Sequence, residues 1–349
     1  MTVDLPVSLC MIVKNEEEFI ATSLKSVRTV LGFEDIVVVD TGSTDRTVEI
    51  AHEFGCRVFD FKWINDFSAA RNFSAEKAIH DWIFFLDADE EILEADIDAL
   101  SRFIKDDRNV GVGTRIELTN LDANPVSRLY NRTQYMLKGI IHEQVEPIGN
   151  KKKILKDIPV VMNHHGYLPE VSEKKGTHER NARMLKEALE EHPNDPYLLF
   201  KLGNAYYYKD LDVALGYFEE ALKHVDDFSL LYVYGLVECY GYALINTGQY
   251  EKALEVKNAY AKYYDYKPEF RFLTAHIYQN NGLFQEAVEC YESCIGADIV
   301  DYMGITSYLS YYNIGVILEC VGMIDEAIGV YGECGDYDPA KQRLLAITT

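Results

Sequence analysis

The chain has 349 residues, of which 48% are hydrophobic and 26% charged, so it is too long for one ordinary core and too apolar for a disordered chain. Its 57 acidic residues against 34 basic ones give a net charge of −23, which argues against general attraction to nucleic-acid phosphate or anionic lipid and suits a cation or a basic partner. No apolar run reaches the ~18 residues of a membrane span and the first residues lack the basic start of a secretion signal, and seven cysteines without framework spacing fit a reducing compartment, so the chain is read as cytoplasmic.

In chain order, VSLCMIV (7–13) predicts a strand, NEEEFIATSLKSVRTV a helix, DIVVVD (35–40) a strand, STDRTVEIAHEFG a helix and CRVFDF a strand. Strands alternating with helices predict βαβ units in a mostly parallel sheet. Ligands of such sheets bind beyond the carboxyl ends of the strands. The next apolar run, in WIFFLDADEE (82–91), enters four carboxylates within five positions. From about residue 193 the pattern becomes Tyr-, Ala- and Leu-rich at helical spacing. Gly248, Gly282 and Gly322 each precede an Ala by five residues (Ala253, Ala287, Ala327), and an aromatic follows by four at Tyr291 and Tyr331. An earlier unit repeats the Ala-to-aromatic step at Ala214 and Phe218. Ala-to-Ala intervals of 39, 34 and 40 residues surround the ~34-residue period of tetratricopeptide repeats. Cys290 and Cys294, four apart on a helical stretch, are read as packing residues, because no second ligand pair accompanies them.

The strand ends carry the chemistry. Lys14-Asn15-Glu16 follows the first strand, Asp40 to Asp45 the second, and Asp87-Ala88-Asp89 the strand of WIFFL, while Arg71 and Asn72 open a helical run after Asp66. These predict one cleft lined by carboxylates around a positioned cation. Two Asp separated by one residue on a rigid strand can hold a hard divalent ion, one directly and one through water, with a diphosphate completing the oxygen shell. Such an ion lets an acidic site accept a still more negative ligand. His142 and Glu143 follow an apolar GII and precede a Pro-bounded loop; Glu143 is the candidate general base, with Glu146 and Asp66 as competitors. Arg128 and Arg132 are read as anion or structural contacts, and Lys151 to Lys153 as a solvated hairpin tip.

VKNEE, VVVDTGSTDRT, DFSAARN and FLDADEE, in this order over residues 8–91, resemble the family 2 glycosyltransferases of the GT-A fold. RLYNRTQYMLKGIIHEQVEP and NHHGYLP extend the resemblance toward soluble members fused to tetratricopeptide repeats, such as the sublancin-type peptide S-glycosyltransferases. The resemblance implies an α/β GT-A domain over 1–168, a connecting loop and helix over 169–192, and an all-α repeat domain over 193–349. It implies inverting transfer from a UDP-sugar with Mn²⁺ or Mg²⁺. Carried over, Asn15 and Glu16 border the nucleotide pocket, Asp40 receives uracil or ribose, and Arg71 lies near base and phosphates. Asp87 faces sugar or ribose, Asp89 binds the metal, and His164 is a further metal ligand, for which neutral imidazole suits Mn²⁺. At His165 the chain departs from the sublancin-type relative, which carries a small amide there.

A repeat array with a concave face commonly grips extended peptide. The expected acceptor is therefore a peptide or protein side chain, Cys or Ser/Thr. The alternatives are transfer to cell-surface polysaccharide or lipid-linked glycan, or a catalytically dead tetratricopeptide adaptor, against which the intact Asp40, Arg71, Asp87 and Asp89 set argues.

Overall fold

The computed structural model of the chain describes residues 5–117, 123–166, 176–297 and 304–348. Two compact units divide it, 1–184 and 185–349. The division falls within a helix, α5 (Thr177–Glu191), in the stretch expected to connect the domains. Residues 167–175, which include the start of the expected connector (169–192), lie outside the described residues.

The first unit is an eight-stranded sheet in the order β3-β2-β1-β4-β7-β6-β10-β5. β1 (Val7–Val13), β2 (Ile36–Asp40), β3 (Arg57–Asp60) and β4 (Trp82–Phe85) run parallel. β7 (Ala123–Asn131) is antiparallel to β4 and to β6 (Asn109–Glu117). β10 (Ile154–His164) is parallel to β6 and antiparallel to β5 (Glu90–Ala95). A separate hairpin pairs β8 (Tyr135–Lys138) with β9 (Gln144–Pro147).

Apolar runs become central strands because both sheet faces are covered. Trp82 and Phe84 of β4 enter the core that also holds Leu9, Met11, Ile36 and Val38, with Ile20 and Leu24 of α1 (Ile20–Ser26). Ile83 and Phe85 enter the opposite core with Cys10, Val37 and Val39, beside Ala75 of α3 (Phe67–Lys77). This period-2 division of an unbroken apolar run is the pleat at work. The first helix starts later than the sequence pattern predicts. Asn15 takes a left-handed φ of 56°, so the chain turns before it can enter α1, and a π-helical turn follows at Val27–Leu31.

The second unit is helical. In its repeats the predicted glycines sit just beyond helix ends, with φ of 73° at Gly248 and Gly282 and 83° at Gly322. Each lets the next N–H reach back to a helix carbonyl, Gln249 to Leu244 at 2.9 Å, Leu283 to Tyr278 at 3.0 Å and Met323 to Leu318 at 2.9 Å. That is the Schellman closure, and it sets the second helix of each pair against the first. Ala253, Ala287 and Ala327 are fully buried at the crossings, where small side chains allow close approach. Cys294 is buried, its thiol donating to Pro268 O and Cys290 O at 3.3 Å. Among the described residues, no helix is long and apolar enough to cross a membrane.

Candidate active site

The chain leaves β1 toward β2 and β3 on one side, then returns to β4 on the other. A crevice therefore opens at the carboxyl ends of β1 and β4, the topological switch point. Asn15 and Glu16 border it from β1. The Asn15 N–H donates to Ser43 Oγ at 2.9 Å and its Oδ1 accepts from Thr44 N–H at 2.7 Å, while the Glu16 N–H donates to Thr47 Oγ1 at 2.7 Å. These bonds lace the β1 and β2 loops together. Asp40 is 7% exposed at the end of β2. Its carboxylate accepts from the Gly42 and Ser43 N–H groups at 3.1 Å, shaping the turn that follows.

Arg71 is the hub. Phe67 and Arg71 are one turn apart on α3, and Asp66 caps that helix, its Oδ1 accepting from Ala69 N–H at 2.9 Å. The Arg71 Nη2 donates to Asp87 Oδ1 at 2.6 Å and its Nε donates to Glu143 Oε1. The guanidinium also lies 5.5 Å from the Phe85 ring centre. Among the described residues the buried Nη1, which carries two N–H groups, has no hydrogen-bond partner. Burial works against ionisation of Asp87, but Arg71 and Arg128 outweigh it and hold the carboxyl below its ordinary range.

His142, immediately before Glu143, adopts a left-handed φ of 53°. The same loop is pinned to α3 by Phe67 N–H donating to Ile140 O at 2.9 Å and Asn72 Nδ2 donating to Leu137 O at 2.8 Å. Among the described residues, the non-glycine residues of positive φ, Asn15, Asn65 and His142, each adjoin a residue singled out from the sequence. Strained backbone concentrates at functional sites. Of the competing bases, Asp66 is committed to its helix cap and Glu146 accepts from Lys153 Nζ at 2.9 Å.

His164 arrives from the far side of the sheet. Register pairs His164 with Glu90, so β10 ends beside the turn that carries Asp89. His164 Nε2 lies 3.3 Å from Asp89 Oδ1, and the His165 N–H donates to Asp89 O at 2.8 Å. A Cβ on Gly166 would stand 2.2 Å from Asp89 Oδ2 and 3.1 Å from His164 Nε2, so only glycine leaves room for both. One carboxylate and one imidazole facing each other suit Mn²⁺ or Mg²⁺, ions that take their remaining ligands from phosphate and water. Among the described residues no cluster of three or more metal-ligating side chains forms. His165 stacks on Phe19 at 5.8 Å and approaches Glu91 at 3.4 Å.

Sequence reasoning missed Glu90. It is 1% exposed, accepts from Arg128 Nη2 and from the Asp87 N–H at 3.1 Å, and lies 3.9 Å from Arg115. Burial raises its proton affinity against the pull of Arg128. Arg128 also stands 3.6 Å from Asp87 Oδ2, so it braces the carboxylate turn from behind. Arg132 donates to Ala75 O and Ala78 O at 2.6 and 3.0 Å, closing the end of α3.

Residues 8–165 match the family model of Glycosyl transferase family 2, and 268–298 that of a tetratricopeptide repeat. The first unit carries a family 2 glycosyltransferase domain. This domain is followed by helical repeats, as the resemblance implied. TPR repeat-containing protein Synpcc7942_0270 of Synechococcus elongatus is 37% identical over 62% of this chain and 56% of the relative. SPbeta prophage-derived glycosyltransferase SunS of Bacillus subtilis (strain 168) is 28% identical over 65% of this chain and 56% of its own. The chain thus spans just over half the length of these curated relatives. The crystal structure of S. aureus TarS aligns with 73% of the chain at 14% identity and a TM-score of 0.40, too low to bear on function.

Proposed function

We propose that this chain is an inverting glycosyltransferase that moves a hexose from a UDP-sugar to a Cys or Ser/Thr side chain of a peptide or protein. The observation that carries the reading is the gathering of Asp40, Arg71, Asp87, Asp89, Glu143 and His164 from distant parts of the sequence at one sheet edge. In this reading Asn15, Glu16 and Asp40 form the nucleoside side of the cleft. Arg71 keeps Asp87 ionised, so that Asp87 accepts hydrogen bonds from ribose or sugar hydroxyls. Glu143 takes the proton of the acceptor as it attacks from the face opposite the leaving diphosphate. Asp89 and His164 are the residues that would hold Mn²⁺ or Mg²⁺, which supplies neutralisation of the leaving group's charge.

The acceptor is assigned to the repeats because arrays of this kind grip extended chains. Within the second unit, a cavity of about 390 Å³ is lined by Phe228, Leu231, Tyr234, Tyr263, Tyr266 and Lys267. An aromatic recess of this kind suits a peptide side chain.

The test is incubation of the protein with a panel of UDP-sugars and Mn²⁺ or Mg²⁺, followed by mass spectrometry. Hydrolysis or self-labelling with one donor is expected; no turnover of any donor would count against the reading. Calorimetry provides a second check. Asp89→Asn, and separately EDTA, should each weaken UDP binding by about tenfold or more, whereas unchanged affinity in both would remove the metal assignment.

Gly166→Ala is a subtler probe of the same place. Its added methyl forces the Asp89 carboxylate to move while leaving the hydrophobic cores alone. Donor hydrolysis should fall by about tenfold or more with the melting temperature little changed; wild-type turnover would show that Asp89 and His164 need not face each other.

A further inference from the structure

We infer that Arg180, on α5 and beyond the matched family domain, binds the diphosphate of a nucleotide held in the strand-end cleft. The inference rests on the donor reading above and adds a residue to it. The Arg180 guanidinium lies 5.4 Å from the centre of the Phe67 ring. Phe67 opens α3 and shares a helix face with Arg71, four residues on, so Arg180 stands beside the stripe that carries the hub of the site. Phe67 is itself held edge-on by Trp63 at 4.8 Å. The acidic groups acting on Arg180 are Glu16, from the loop after β1, and Asp89, from the turn after β4. The start of α3 thus touches this cation, and the carboxylates of two sheet-end loops act on it electrostatically.

What the guanidinium lacks is as informative. Nε and Nη2 donate to Asn181 Oδ1 at 3.2 and 3.1 Å, and among the described residues no carboxylate pairs with it. Its burial lowers its proton affinity, Glu16 and Asp89 raise it, and Arg183, one turn along α5, lowers it. A half-buried cation with a second arginine near it, and carboxylates too far for direct pairing, is an arrangement completed by an anion. A diphosphate fits, because planar guanidinium nitrogens match phosphate oxygens in pairs. The bland alternative is a cation–π brace that fixes α5 on Phe67 and plays no part in binding.

Calorimetry on the full chain with two probes separates these. Arg180→Ala should weaken UDP binding by about tenfold or more and leave uridine binding unchanged. Arg180→Lys should fall between, and the salt dependence of UDP binding should flatten in the Ala variant. Equal UDP affinity in wild type and variant overturns the inference, as does equal loss of UDP and uridine, which marks a brace. Should Arg180→Ala not fold, Arg180→Gln, which keeps the stem and a planar end over Phe67, carries the same comparison. If the wild type binds uridine and UDP equally, nothing grips the diphosphate, and this inference and the metal assignment fail together while the nucleoside side of the cleft stands. If it binds neither, the donor reading itself fails.

Discussion

Arg128→Met is expected to cost about 3–5 kcal/mol of folding stability, because it leaves Glu90 buried without its principal cation. Glu90 is 1% exposed and Arg128 8%, so water cannot replace the lost partner. Arg115, at 3.9 Å, is too distant to compensate fully. The deficit should depend on pH, with a definite sign. Burial already raises the proton affinity of Glu90 above the ordinary value of 4.5, and removing Arg128 raises it further. A carboxyl whose folded-state pKa is raised favours the folded state at low pH, and that advantage is lost as pH rises through the folded value. The gap between variant and wild type should therefore narrow as pH falls from neutral toward 4.5 and widen in the other direction. Urea denaturation at two pH values measures it. The double variant Glu90→Gln/Arg128→Met should recover most of the loss, since Gln can still accept from the Asp87 N–H. A single variant that loses under about 1 kcal/mol, or a double variant no better than the single, would show that the pair does not support the Asp87–Asp89 turn.

The Glu90–Arg128 pair also marks where sequence reading stops. β1, β2 and β4 were legible because burial on both faces writes an unbroken apolar run, and the repeats because their turn glycines and crossing alanines recur. Asp40, Asp87 and Asp89 stood out as carboxylates directly after such runs. Glu90 stood in the same acidic cluster, yet nothing local distinguishes the carboxylate that turns inward. Its partner is 38 residues away, on a strand that runs antiparallel to β4. Arg180 was invisible for the same reason, since its place depends on α5 returning to Phe67 across more than a hundred residues. Asp66 and Glu146 compete with Glu143 in the sequence; only in three dimensions do their partners differ, a helix cap for Asp66, Lys153 for Glu146 and Arg71 for Glu143.

That separation sharpens the second large effect, which distinguishes a thiol acceptor from a hydroxyl. A Cys thiol, with a pKa near ~8.5, is already a few per cent thiolate at neutral pH and needs little help to attack. A Ser or Thr hydroxyl depends on proton removal in the transition state, which a positioned base assists by ~10² to 10⁴-fold. If Glu143 is that base, Glu143→Gln should reduce kcat/KM for a Ser peptide by about that factor and for the matching Cys peptide, at raised pH, far less. The structure adds a second role that the test must exclude. Glu143 Oε1 accepts from Arg71 Nε while Arg71 Nη2 holds Asp87 at 2.6 Å, so a change at Glu143 can reach the donor side through Arg71. Gln keeps an acceptor oxygen for Arg71 but cannot take a proton, which makes it the right replacement; Glu143→Ala would disturb both functions at once. UDP affinity should therefore stay within about twofold of wild type in the Gln variant if Arg71 remains in place. Similar small losses for both peptides would make Glu143 a strut for Arg71, with His142 the next group to test. Similar large losses with UDP affinity intact would instead mean that Glu143 positions the acceptor, a defect of geometry rather than of proton transfer.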